Sequence, residues 1–286
     1  MTNSNPSSPT ASQAPTPEQV KTAMALTIRT ARIDPGAFVR YLLMVAGAAP
    51  APLPEVHRSL QSHLSAHRHA LVELPRDHGK TTQVCLRVLW ELGRDPNLRI
   101  KVVCASEAVA LERSRFLRRS IARNPRVRRV FPQLLPSDPW LAQAFTVARG
   151  PGILGPSVAA FGIGAASTGT RADLLICDDV VDVKSLYSKA QRDRVADDFT
   201  NNLMNLLEPD GRYWGLSTPW HPEDLNARLK ANPSYALFTR SVGADSNDRR
   251  HLHTQEQGEA RIEHRIGRKS ASCEPRGPQT SCIRAI

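Results

Sequence analysis

No run in this chain approaches the roughly 20 apolar residues that a membrane helix needs, and the start, Met1-Thr2-Asn3-Ser4-Asn5-Pro6, lacks the basic-then-apolar order of a secretory leader. Membrane and secreted classes are therefore not expected, and the chain reads as cytoplasmic. Cysteine is scarce. There are five, Cys85, Cys104, Cys177, Cys273 and Cys282, an odd number without metal-ligand or disulfide spacing. The first three lie inside apolar runs and read as small buried hydrophobes in a reducing compartment. No internal repeat is visible.

What is present is positive charge. Against 27 Asp+Glu stand 38 Lys+Arg, a formal net charge of +11 over 286 residues. This favours a polyanionic partner such as nucleic acid through counterion release, but charge alone does not choose among DNA, RNA and a membrane surface. Part of the excess falls in an arginine-rich tail.

Residues 1–17 are Ser, Pro, Thr, Ala and Asn with little to bury, so they are expected to be disordered. From 18 to 50, Val20, Met24, Ile28, Phe38, Leu42 and Val45 recur at helical spacing, broken at Asp34-Pro35-Gly36, which predicts a short helical lead-in. Residues 51–243 then alternate short apolar runs with helical stretches, the pattern of an α/β domain with a mostly parallel sheet flanked by helices. The runs are Ala70 to Leu74, Ile100 to Ala105, Leu174 to Cys177, Tyr213 to Ser217 and Ala236 to Val242, with two shorter ones at Phe145 to Val147 and Val158 to Phe161. From 244 to 286 large apolar residues nearly vanish, and the segment reads as a disordered or out-of-frame tail.

Three motifs carry chemistry, each at the end of an apolar run. The first is Pro75-Arg76-Asp77-His78-Gly79-Lys80-Thr81-Thr82, where a strand runs into Gly-Lys-Thr and then a helix. This order lets successive backbone N–H groups wrap phosphates, with Gly79 admitting the backbone, Lys80 supplying charge and Thr81 offering its hydroxyl to Mg²⁺. The usual leading glycine is replaced by Leu74, and a Gly-Lys-Thr helix start without a ligand is the plain alternative. The second is Asp173 to Asp179, four apolar residues ending in two carboxylates. On a strand end beside the phosphate loop, Asp178 is the expected metal ligand, and Asp179 is placed to orient or deprotonate a water. The plain alternative is an Asp-Asp turn. The third, Gly215 to Leu225, ends its strand in Ser217 and Thr218. Thr218 suits sensing of a terminal phosphate, while His221 reads as a turn histidine. Arg113, Arg115, Arg118, Arg119, Arg123, Arg126, Arg128 and Arg129 form a basic stretch in which 115, 118, 119 and 123 share a helical face. A solvated face is its plain reading, with phosphate contacts or a neighbouring subunit's nucleotide as the sharper ones.

Taken in order, Pro75 to Thr82, Arg171 to Asp179 and Thr218 to Leu225 resemble the large terminase subunits of tailed phages, over about residues 50 to 243. The resemblance implies a P-loop NTPase of the additional-strand (ASCE) type that binds ATP and Mg²⁺ and packages double-stranded DNA as a homo-oligomeric ring. The portal protein and the small terminase subunit would be its partners, in the bacterial host cytoplasm and transiently at the procapsid portal. It also implies a γ-phosphate contact for Arg76. Pro219 departs from the arginine frequent there. Nothing after Gly243 supplies the family's nuclease acids, so DNA cleavage is not expected. The alternatives are a truncated, non-catalytic nucleotide-binding remnant of a prophage terminase and a helicase-like ATPase.

Overall fold

A computed structural model describes residues 16–44, 51–165, 171–181, 187–218 and 221–240. The tail from 244, the first fifteen residues and the Pro219-Trp220 pair lie outside the described residues. The lead-in begins with α1 (Pro17–Ile33), where Thr16 and Gln19 exchange side-chain and backbone hydrogen bonds in a capping box and Pro17 fills a first-turn position that needs no N–H. The break at Asp34-Pro35-Gly36 is a second cap. Asp34 accepts from the N–H groups of Gly36 and Ala37 and starts α2 (Pro35–Leu43).

A further helix, α3 (Glu55–Ala66), has no counterpart in the sequence reading. Its inward face mixes Val56, Leu60 and Leu64 with the buried polar residues His57 and Gln61, which blunts the apolar stripe. The remaining elements are β1 (His69–Glu73), α4 (Lys80–Arg94), β2 (Ile100–Cys104), α5 (Glu107–Arg123), α6 (Pro125–Val130), β3 (Pro136–Trp140), β4 (Ala144–Val147), β5 (Val158–Gly162), β6 (Ala172–Asp178), α7 (Lys189–Asp198), β7 (Leu207–Ser217), α8 (Leu225–Lys230) and β8 (Ala236–Thr239). They build one sheet in the order β3-β4-β5-β2-β6-β7-β1-β8. From β5 to β8 the neighbours run parallel, while β3 and β4 extend one edge antiparallel. The strand β3, Pro136-Ser137-Asp138-Pro139-Trp140, escaped the sequence reading because two prolines remove ladder donors, and it is tolerated because it is the edge.

The acidic strand β6 does not lie beside the loop-bearing strand β1, because β7 pairs with both and stands between them. A strand inserted at that place is the feature that defines the additional-strand class of P-loop NTPases, and the fold is of that class.

Helices cover both faces, so the central strands carry apolar residues toward both rather than alternating apolar with polar. On one face Ala70, Val72, Ile100, Val102, Leu174, Ile176, Trp214 and Leu216 pack with α1 to α6. On the other, Leu71, Val103, Leu175, Cys177 and Tyr213 pack with residues of α7 and α8, Val195, Ala196, Leu225 and Leu229. Each such side chain contributes about 1.5–3 kcal/mol when fully buried. Gly93 is fixed by close packing, for a Cβ there would stand 2.3 Å from the Phe131 ring.

A buried ion network crosses this core. Glu91 accepts from Arg87 Nε at 2.8 Å and from Arg212 Nη2 of β7 at 2.8 Å. Burial alone would push the Glu91 carboxyl up, but Arg212 and Arg87 outweigh it and hold the carboxyl below its ordinary value. Burial pulls Arg87 down, yet an arginine starts so far above neutrality that it stays cationic. Removing Glu91 would strand two desolvated cations, so Glu91→Leu is expected to cost about 3–5 kcal/mol in urea unfolding. Because the folded carboxyl holds its charge to lower pH than the unfolded one, the wild-type contribution is complete above a pH of about 4.5 and is lost below it. The Glu91→Gln variant is expected to lack that acid limb.

Candidate functional site

The strands β1, β2, β6 and β7 all end on one edge, at Glu73, Cys104, Asp178 and Ser217, which are aligned by the register pairs Glu73 with Ser217, Cys104 with Asp178 and Asp178 with Leu216. In a parallel sheet this carboxyl edge is where ligands bind. After β1 the chain turns sharply through Pro75, Arg76, Asp77 and His78. Asp77 adopts φ 63° and Gly79 φ 66°, a left-handed backbone that Asp tolerates and Gly takes freely. Gly79 is the N-cap of α4 and gives it no side-chain cap, so the first N–H groups of the helix keep their capacity for an anion.

Lys80 follows, with a side chain only 8% exposed. Its Nζ donates to Thr218 Oγ1 at 3.0 Å and lies 3.4 Å from Asp179 Oδ2. Thr81 donates from Oγ1 to Asp178 Oδ1 at 3.1 Å. The structure thus joins Lys80, Thr81, Asp178, Asp179 and Thr218 in one cluster. Pro75 is half-buried, Arg76 and Asp77 are exposed on the turn, and Thr82 is half-buried in the first turn of α4. His78 Nδ1 lies 2.8 Å from the Arg76 carbonyl, a contact that braces the turn itself. His221 accepts from Glu223 N–H through Nδ1, while Asp224 caps α8 by accepting from Ala227 N–H, so both serve the turn after β7.

Arg113 was counted among the basic stretch, and its role at this site was not foreseen. It turns inward from α5 and donates from Nε to Asp178 Oδ2 at 3.0 Å. The expected sharing of one face by Arg115, Arg118, Arg119 and Arg123 also needs correction. Arg118 turns to donate to the Trp140 carbonyl and stacks on that ring, leaving Arg115, Arg119 and Arg123 exposed. No periodicity could flag Arg113, because its partner arrives only when β6 takes its place beside β2.

The residues fit Mg²⁺ and a triphosphate. Thr81 and Asp178 form a hard oxygen pair, and Mg²⁺ typically takes one or two carboxylates, with phosphate and water filling its other positions. No group of three or more His, Cys, Asp or Glu able to hold a metal occurs among the described residues. Asp179 adopts φ 48°, and its Oδ1 is buried without a partner among the described residues, the mark of a group awaiting one. Burial raises the Asp178 carboxyl above its ordinary value, Arg113 and Thr81 oppose this, and the adjacent Asp179 adds to it. A bound cation would supply the charge that this desolvated carboxylate lacks. Burial pushes the neighbouring Cys85 thiol up to about 12, so it offers no thiolate chemistry at neutral pH.

Because the folded Asp178 carboxyl titrates above the unfolded one, its ionised form costs stability once pH rises past its ordinary value, 3.8. In the absence of Mg²⁺ and nucleotide, Asp178→Asn is expected to melt at or above the wild-type temperature at pH 8 while losing Mg-dependent nucleotide binding. A markedly lower melting temperature would show instead that the Arg113 pair outweighs the desolvation.

Comparisons with known proteins bear on this site. No family model matches the sequence. The chain is 29% identical over 222 residues to the terminase large subunit of Enterobacteria phage T3, an alignment covering 73% of this chain and 37% of that protein. The chain thus spans little more than a third of the length of that relative. Among solved structures, the HK97 bacteriophage large terminase superposes with a TM-score of 0.49 at 14% identity, covering 75% of this chain and 45% of that one. The large terminase ATPase domain of Thermus phage P74-26 gives 0.45 at 16% identity, covering 76% and 90%. The likeness read from the strand-end motifs is met by the sequence comparison: this chain is similar to part of a phage terminase large subunit.

Proposed function

We propose that this chain is an ATP-hydrolysing motor subunit that couples turnover to the movement of double-stranded DNA into a phage capsid. The observation that carries the reading is the meeting of Lys80, Thr81, Asp178, Asp179 and Thr218 at one sheet edge. Lys80, with the backbone N–H groups of the loop that follows Pro75, through Thr82, holds the phosphates. Thr81 and Asp178 hold Mg²⁺, which supplies charge neutralisation at the terminal phosphates when bound. Asp179 orients and deprotonates the attacking water, Arg76 reaches the γ-phosphate from its exposed position, and Thr218 senses that phosphate through the same hydroxyl that now holds Lys80.

Coupling runs through β7 and the turn behind it. Asp224 caps α8, Lys230 of α8 pairs with Glu73 at 2.6 Å, and Arg228 pairs with Asp193 of α7 at 2.7 Å. A change at Thr218 is thereby transmitted to two helices. For DNA, the support is the exposed row of Arg115, Arg119 and Arg123 on α5, none of which forms an ion pair among the described residues. Four-residue spacing sets these residues about 6 Å apart along the axis, on one exposed side of the helix, an arrangement suited to phosphate contacts. A ring of copies, with a portal and a small subunit as partners, completes the reading.

Lys80→Ala is expected to lower kcat for Mg-ATP at least about 100-fold, since it removes the main charge on the developing phosphate oxygens. Folded wild-type protein without Mg-dependent nucleotide affinity would end the motor reading, while ATP binding without single-turnover hydrolysis would reduce it to a nucleotide-binding remnant. Separately, changing Arg115, Arg119 and Arg123 together to Glu is expected to weaken DNA stimulation of the ATPase about tenfold or more and to flatten its salt dependence. Stimulation unchanged by the triple substitution would remove α5 from the DNA path.

A further inference from the structure

Beneath the phosphate loop runs a chain of buried polar groups that the proposed reaction does not use. Arg87 Nη1 lies 3.4 Å from Gln61 Oε1, Gln61 Nε2 lies 3.3 Å from Gln83 Oε1, Gln83 Nε2 lies 3.3 Å from His57 Nδ1, and His57 Nε2 lies 3.0 Å from the His78 carbonyl oxygen. None of the four residues is more than 2% exposed. Glu91 and Arg212 anchor the far end of the chain on β7.

The direction of this chain is forced at both ends. A guanidinium has no acceptor, so Gln61 must turn its oxygen toward Arg87 and its nitrogen toward Gln83. That nitrogen also reaches the Gln83 backbone oxygen at 3.3 Å, which fixes it further. Gln83 then presents its own nitrogen to His57, and Nδ1 must be the unprotonated ring atom. The ring proton is left on Nε2, where the carbonyl oxygen of His78 accepts it.

We propose that His57 is a positioning residue for the phosphate loop, holding the His78–Gly79 peptide in one orientation through a tautomer imposed by Arg87, Gln61 and Gln83. The peptide is planar and trans, so a carbonyl pinned toward α3 sends the Gly79 N–H to the opposite side. Without that bond the peptide is free to flip, because its second residue is a glycine that accepts either sign of φ and stands at φ 66°. The Gly79 amide is one of the donors a phosphate needs, so the bond pre-sets the loop before any ligand arrives. The proposal rests on the reading of Pro75 to Thr82 as a nucleotide loop, and its test separates the two.

The full chain, labelled with ¹⁵N at histidine and at glycine, is to be compared with His57→Leu, His57→Gln and Gln83→Met. In the wild type the His57 ring is expected to carry its proton on Nε2, and Gln83→Met to abolish that single-tautomer signature. The Gly79 amide is expected to give one sharp signal in the wild type and a broadened or doubled one in His57→Leu, with Gly93 and Gly162 unchanged. The KM for Mg-ATP should rise about tenfold in His57→Leu with kcat changed less than about threefold, the loss of one buried hydrogen bond to the loop. His57→Gln, which keeps one donor and one acceptor, should restore both readouts. A wild-type proton on Nδ1 overturns the proposal, as does His57→Leu with an unchanged Gly79 signal and KM. Should His57→Leu not fold, Gln83→Met must reproduce the Gly79 broadening, and a wild-type spectrum there overturns the proposal equally. Wild type that binds no ATP while His57→Leu still broadens Gly79 defeats the nucleotide reading and leaves the peptide-positioning role standing.

Discussion

The ammonium of a lysine side chain that is only 8% exposed cannot stand without oxygens, and the whole carboxyl edge of this sheet answers to Lys80. Thr218 and Asp179 supply those oxygens from two different strands, so both strands must end level with the loop. That requirement selects the strand order. With β7 beside β1, Thr218 comes within 3.0 Å of Nζ, and with β6 next beyond, Asp178 and Asp179 face Thr81 and Lys80 across one strand's width. The inserted strand is thus what allows a cation, a hydroxyl and two carboxylates to meet without any of them leaving its own element.

The same edge stores cost. Asp77 and Asp179 both take positive φ, a conformation seldom used by residues with a side chain, and Asp178 holds a carboxylate where burial favours the neutral acid. In the core, Glu91 is closed by two arginines. At the edge the closure is partial: Asp178 shares Arg113 with solvent, and one oxygen of Asp179 has no described partner. Arg87 finds its acceptors inside the fold, while Asp179 keeps hydrogen-bonding capacity at the ligand edge. In the proposed function, Mg²⁺ and the terminal phosphates are what meet it.

How much of this could be read beforehand follows from the range over which each feature is specified. The apolar runs at Leu71, Val103, Ile176 and Leu216 are local, and every one is a central strand. The loop Gly79-Lys80-Thr81 and the pair Asp178-Asp179 are likewise local, since the backbone turn and the strand end are written in consecutive residues. What was not legible depends on order in space. No single motif places β7 between β1 and β6; that order came only with the family resemblance, and the sheet itself supplies it. Arg113 looked like one more cation in a basic helix, because its carboxylate lies 65 positions away.

The helix α3 is the most instructive omission. Its buried positions, Val56, His57, Leu60, Gln61 and Leu64, follow helical spacing, but two of them are polar, and a search for an apolar stripe passes over them. Polar residues reach such positions only when each finds a partner, because an unmet group there costs more than an apolar side chain would gain. A buried histidine and glutamine on one helix face therefore carry information of their own: something across the interface must donate and accept in the matching order. Here that something is Gln83 on the helix the phosphate loop begins, and the loop carbonyl of His78 itself. The polar interruption that hides the helix from a pattern search is the same feature that ties it to the site.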